Sequence, residues 1–420
     1  MDKKIKVLVL SDHPLSPSGV GAQTKYMIEA MLKTGKYQFV CLGGAIKHES
    51  YQPIKTEEWG EDFVIYPVDG YGNPDLLRSI TRAERPDILW FMTDPRFWGW
   101  LWQMEDELRP MIPMIYYHVW DNYPAPAYNK SWYDSTDVIA CISKLTRDVV
   151  AEVVPDHEEV HYVPHSVNTE IFCKLPSDEV LKHRLDHFPG SEKKTIFFFN
   201  SRNARRKQSG SLIFWFNSFL DNVGRDKAIL LMHTDTKDPH GQDLNAIIEH
   251  LNLTNGEVYF SGAKVAPEAL AMMYNVADCT VNISDAEGFG LSAMESLACE
   301  TPIIATKTGG LQEQVTNGEI EFGVALEPTS KAIIGSQEIP WIYEDRLSEE
   351  VVVAAMEKMQ DMDKEERELL GHMARQHILQ NYNMETFVKQ WDEILSHAVE
   401  KFGSWDTRKN YKSWQLSEVK

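Results

Sequence analysis

The stretch Asn282–Gly310, NISDAEGFGLSAMESLACETPIIATKTGG, sets two glutamates, Glu287 and Glu295, eight positions apart around a glycine-rich joint. The residues that lead into it, DCTVNIS (278–284), are short, partly β-branched and bounded by Asp285 and Gly288, which is the pattern of a buried strand. Beyond Phe289, the residues Leu291, Met294, Leu297 and Ala298 recur at helical spacing. TPIIAT (301–306) is a second short apolar strand. The glutamates therefore flank the strand-to-helix turn of a βαβ unit, and in open α/β sheets such turns host ligands.

Working outward, strand-like runs alternate with helical patterns along most of the chain. KVLVLS, FVCLGG, DILWFM, MIYYHV, VIACIS and VHYVPHS lie in the first part, and KTIFFFNS, AILLMHT, EVYFSG, CTVNIS and TPIIAT in the second. A polar stretch carrying Pro176 separates the two series. Two doubly wound α/β domains with parallel sheets follow, 1–175 and 176–390, and a chain of 420 residues is long for one core. A cleft facing the strand carboxyl ends is the natural place for a site. Near the end, Phe387, Trp391, Ile394, Leu395 and Val399 form one stripe of an amphipathic helix. That helix, with the tail at about 391–420, either caps the second domain or packs back on the first.

Composition narrows the class. Hydrophobic residues at 43% and charged residues at 25% describe an ordinary globular chain. A net charge of −21 argues against a general nucleic-acid or anionic-membrane binder, which needs a basic footprint. The five cysteines have no paired spacing, so neither a disulfide framework nor a metal site is expected, and a reduced cytoplasmic setting fits. The opening apolar run, Ile5 to Leu10, is too short to span a membrane and reads as a first strand.

The residue types around the joint suit a nucleotide. Along a helix, eight residues span roughly 12 Å, about the reach from a ribose across a diphosphate to a sugar. A carboxylate at Glu295 can accept both ribose hydroxyls, and Glu287 at the turn can receive hydroxyls of the sugar. Gly288 and Gly290 permit close backbone approach, and the amides that open the helix can meet phosphate. Taken alone, an E-x7-E pair is more simply a first-turn carboxylate and a solvated helix residue.

The pair does not stand alone. EGFG (287–290), the helix with Glu295, Pro302 and GGLQE (309–313) together resemble the retaining glycosyltransferases of family 4, which have the two-domain GT-B fold. The resemblance continues in TIFFFNSRNARRKQSG, where Arg202 and Lys207 match the family's arginine and lysine. It continues also in LSDHPLSPSGVGAQTKYMIEAM, where Gly19 and Gly21 match its glycine-rich loop. As a dinucleotide fingerprint that loop is poor, because Thr24 stands where a third glycine belongs. His118 and Asp121, in MIYYHVWDNYP, end a strand where family members often place a histidine against the sugar; a structural histidine is an equal reading. The chain departs from the family at His165, Ser166, Val167 and Asn168, and at Ser201 and Glu300, where glycine is usual.

What the resemblance implies is a GT-B enzyme that moves a sugar from a nucleoside diphosphate donor to an unidentified acceptor with retention, needing neither metal nor cofactor. Glu287, His118, Arg202 and Lys207 would be its catalytic residues. Gly19, Gly21, Arg202, Lys207, Phe289, Gly290, Leu291 and Glu295 would hold the donor. The alternatives are a viral-type DNA base glycosyltransferase and an inactive nucleotide-sugar-binding partner subunit.

Overall fold

The computed structural model describes residues 3–16, 18–262 and 264–411. It divides into two compact units. The first comprises the chain up to Ser166, the short segment Ser336–Pro340, and the chain from Glu385 onward; the second comprises Val167–Gly335 and Trp341–Met384.

Alternation of apolar strands with amphipathic helices builds each unit around a twisted sheet. In the first unit the strands are β1 (Ile5–Asp12), β2 (Tyr37–Gly44), β3 (Ile54–Lys55), β4 (Phe63–Pro67), β5 (Ile88–Thr93), β6 (Met114–His118), β7 (Val138–Cys141) and β8 (Val160–Tyr162). Their order is β3-β4-β2-β1-β5-β6-β7-β8, parallel throughout except for the two-residue edge strand β3. The inner strands are apolar almost continuously because helices cover both faces. Helix Met384–Phe402 belongs to this cover. Trp391, fully buried, meets the rings of Trp90 and Tyr117 edge-on at 5.7 and 4.9 Å, while Asp392 takes Lys36 Nζ at 2.6 Å and Tyr37 Oη at 2.7 Å. The expected C-terminal helix therefore ends at Phe402, and the part of that expectation beyond residue 411 lies outside the described residues.

The second unit holds β9 (Thr195–Asn200), β10 (Ala228–His233), β11 (Val258–Phe260), β12 (Cys279–Asn282), β13 (Ile303–Thr306) and β14 (Gly323–Leu326). All pair in parallel in the order β11-β10-β9-β12-β13-β14. The chain winds outward from β9 in one direction, then returns to β12 beside β9 and winds outward in the other. The loops after β9 and β12 therefore flank the point where the winding reverses, at whose carboxyl edge such sheets bind ligands. An antiparallel hairpin, β15 (Ser330–Ile334) and β16 (Ile342–Arg346), forms a separate sheet. Among the described residues no helix is long and apolar enough to cross a membrane.

Candidate active site

Two loops meet at the carboxyl edge of β9 and β12. The loop after β9 closes in a 3-10 turn, Arg205–Lys207, which buries Lys207 to 9% exposure. The loop after β12 carries Glu287. Lys207 Nζ pairs with Glu287 Oε2, and Arg206 lies 3.7 Å from the same oxygen while its guanidinium donates to Ala286 O. The Asp285 N–H donates to Arg206 O at 2.8 Å, which ties the loops together through the backbone as well.

The helix expected after Phe289 runs from Leu291 to Ala298, and Gly290 precedes it with φ +95°. Glu287 therefore lies outside the helix, and a separation from Glu295 based on eight helical residues does not apply; only the part from Leu291 on is helical. No side chain caps this helix, so Gly290 leaves its opening amides without a side-chain acceptor. Glu295 is partly buried. It accepts a hydrogen bond from Tyr274 Oη at 2.8 Å, and that hydroxyl accepts one from Asn200 Nδ2, at the end of β9, at 2.7 Å. Burial pushes the Glu295 carboxyl up to about 7, against the lesser opposing effect of the Tyr274 hydrogen bond. Such a shift marks a carboxyl whose burial outweighs the one hydrogen bond that favours its ionised form.

The glycine-rich loops fit against each other. A Cβ on Gly310 would stand 2.6 Å from Gly288 O and from Phe289 Cα, and the Gly310 N–H donates to Glu287 O at 3.1 Å. Gln314 Nε2 holds Phe289 O at 2.6 Å, and the buried Phe289 ring meets Tyr382 edge-on at 5.8 Å. The close backbone approach at Gly310 is thus to the loop of Glu287. Gly310→Ala is expected to cost about 1–3 kcal/mol by overpacking and to displace Glu287, which chemical denaturation and turnover measured together would register.

Arg202 is placed differently from Lys207. Its side chain is 60% exposed and held by Asp238, with Nε to Oδ2 at 2.5 Å, and its Nη2 donates to His240 Nδ1 at 2.8 Å. In the first unit, Gly19 opens helix Gly19–Lys33, and Gly21 is enclosed by the chain itself. A Cβ there would meet Ser16 Oγ at 2.5 Å and His13 O at 2.7 Å, and Ser18 Oγ already accepts from the Gly21 N–H at 2.9 Å. His118 ends β6 and is fully buried. Its Nε2 shares a hydrogen bond of 2.8 Å with Tyr133 Oη, its Nδ1 has no partner among the described residues, and burial pushes its pKa down to about 3. Asp121, three residues beyond the end of β6, is partly exposed.

Residues 186–369 match the family described as glycosyl transferases group 1. That match covers less than half of the 420-residue chain. Over 261 residues the chain is 22% identical to the N-acetyl-alpha-D-glucosaminyl L-malate synthase of Bacillus anthracis, covering 62% of this chain and 60% of that protein. Over 54 residues it is 50% identical to the D-inositol 3-phosphate glycosyltransferase of Rhodococcus erythropolis, covering 13% of this chain and 12% of that one. The chain thus spans less than two thirds of the length of these relatives. Among solved structures, sucrose-phosphate synthase from Thermosynechococcus elongatus superposes with a TM-score of 0.74 over 95% of this chain and 100% of its own, at 17% identity. Anabaena HepE, solved in complex with UDP-glucose, gives 0.66 over 94% and 100%, at 15% identity. These likenesses establish the GT-B fold. The matched residues include Arg202, Lys207, Tyr274, Glu287 and Glu295.

Sequence reasoning passed over Arg206, Tyr274 and Asn200. Arg206 sat in plain view in RNARRK, whereas Tyr274 lies in the helix Pro267–Val276 with no signal to set it apart from core.

Proposed function

We propose that the chain is a retaining glycosyltransferase that takes a sugar from a nucleoside diphosphate donor bound at the carboxyl edge of β9 and β12. The observation that carries this reading is the meeting of Lys207 with Glu287 at that edge, with Glu295 on the helix that follows, inside the residues that match the group 1 family. In this reading Lys207 and the opening amides of helix Leu291–Ala298 stabilise the charge that develops on the departing diphosphate. Glu295 accepts the two ribose hydroxyls, and Glu287 orients the sugar, where positive charge grows in an oxocarbenium-like transition state. The departing phosphate takes the acceptor proton, so no separate carboxylate base is required.

Incubation with a panel of nucleotide sugars and hydroxyl acceptors, read by mass spectrometry and by the anomeric configuration of the product, tests the reading. Transfer with retention supports it. Product of inverted configuration, or no transfer and no donor hydrolysis with any donor, contradicts it, the latter outcome favouring an inactive binding subunit. Because protein cations meet the diphosphate, turnover is expected to be unchanged by a chelator; loss of activity restored only by a divalent ion would contradict that role for Lys207.

A further inference from the structure

Strand β16 carries Glu344, Asp345 and Arg346 in succession, yet Glu344 and Asp345 are only 2% and 3% exposed. Buried carboxylates are costly unless each is paired. Here Arg205 grips Glu344 with both terminal nitrogens. Arg346 reaches Glu344 Oε2 at 2.5 Å and pairs at the same time with Asp285 Oδ2. Gln208 Nε2 donates to that Asp285 oxygen at 2.6 Å, and the Asp345 N–H donates to Asp285 O at 2.8 Å. One end of this chain of contacts, Arg205, stands two residues before Lys207. The other, Asp285, stands two residues before Glu287.

A network that served only to dock the hairpin could draw its partners from anywhere on the unit. These partners come instead from the two loops that carry Lys207 and Glu287, Arg205 and Gln208 from the first and Asp285 from the second. Arg205 is 60% exposed, and holding so exposed a side chain costs rotamer entropy that a surface pair seldom returns. Its partner is buried, so the contact fixes the loop rather than decorating it.

We propose that the β15–β16 hairpin is a positioning element for the donor site, in which Glu344 and Arg346 hold the loop after β9 and the loop after β12 at the separation where Lys207 meets Glu287. Its link to a donor rests on the function proposed above. Arg205 is the hairpin's handle on the first loop and Asp285 its handle on the second.

The test compares wild type with Glu344→Gln and, as a milder change at an exposed residue, Arg205→Gln. Hydrogen–deuterium exchange is followed in peptides covering 201–208 and 284–290, and UDP, the nucleotide moiety of the UDP-glucose bound to Anabaena HepE, is titrated into each protein. Both variants are expected to exchange faster in both loops, with the sheet strands unchanged, and to bind UDP roughly tenfold more weakly. In a Lys207→Ala background the Glu344→Gln change is expected to add no further loss, because both act through one arrangement. Unchanged exchange in the two loops, or losses in UDP affinity that simply add, would overturn the proposal. If wild type binds no UDP, that counts against a uridine donor, and the exchange result alone decides the role of the hairpin.

Discussion

Lys207→Ala is expected to lower kcat/KM for sugar transfer by about 10²–10³-fold, the loss of about 2.7–4 kcal/mol that follows removal of one preorganised donor aimed at developing charge. Two effects combine. The cation that would meet the diphosphate is gone, and Glu287, whose side chain is 15% exposed, loses the ammonium that neutralises it. Arg202→Ala is expected to stay within about tenfold of wild type, since that guanidinium is mostly exposed and already neutralised by Asp238. Steady-state kinetics on both variants separate the two cations. Near-wild-type turnover in Lys207→Ala would remove this residue from the mechanism, and a larger loss in Arg202→Ala would exchange their roles.

Glu295→Gln is expected to weaken donor binding while making the free protein more stable. Glutamine still accepts from Tyr274 Oη, but it cannot take two ribose hydroxyls as a carboxylate does. Loss of one charge-assisted interaction corresponds to about 1.5–3 kcal/mol in donor affinity. The stability effect follows from burial. The carboxyl titrates near 7 in the folded chain against 4.5 in its ordinary state, so the stability it contributes is fully present below about 4.5 and is lost as the pH rises through 7. Glutamine carries no such cost, so the variant gains up to about 3 kcal/mol over wild type at pH 8 and little at pH 5. Denaturant unfolding at the two pH values reads this directly, and a difference that does not grow with pH would contradict it. The same carboxyl predicts that wild type binds a nucleotide sugar about tenfold more weakly at pH 6 than at pH 8, with the dependence absent in Glu295→Gln.

Much of the second unit was legible because its signals are local. β-Branched and aromatic runs marked β9 to β13, and the EGFG and Gly-Gly loops marked the edge where the site lies. The misses have physical causes. β14 begins at Gly323, with φ +141°, and β4 ends on Pro67, residue types that read as turns and so obscure both strands. The hairpin was illegible because Glu344, Asp345 and Arg346 read as solvated charge, whereas the two carboxylates are buried and Glu344 and Arg346 pair with Arg205 and Asp285, far away in sequence. The glycine usual at position 300 has an explanation in the backbone: Glu300 adopts φ +62°, a left-handed conformation that costs a residue with a side chain. The partnership of Glu295 with Tyr274 and Asn200 joins three elements and has no sequence period that could announce it.

The central claim is that Lys207, Glu287 and Glu295 form one donor site at the carboxyl edge of β9 and β12. Calorimetric titration of a nucleotide-sugar panel into wild type, Lys207→Ala and Glu295→Gln tests it most directly. The account predicts that at least one nucleotide sugar binds wild type and that each substitution weakens that same donor by tenfold or more, about 1.4 kcal/mol. A donor that bound all three proteins equally, or a panel with no ligand for wild type, would contradict it.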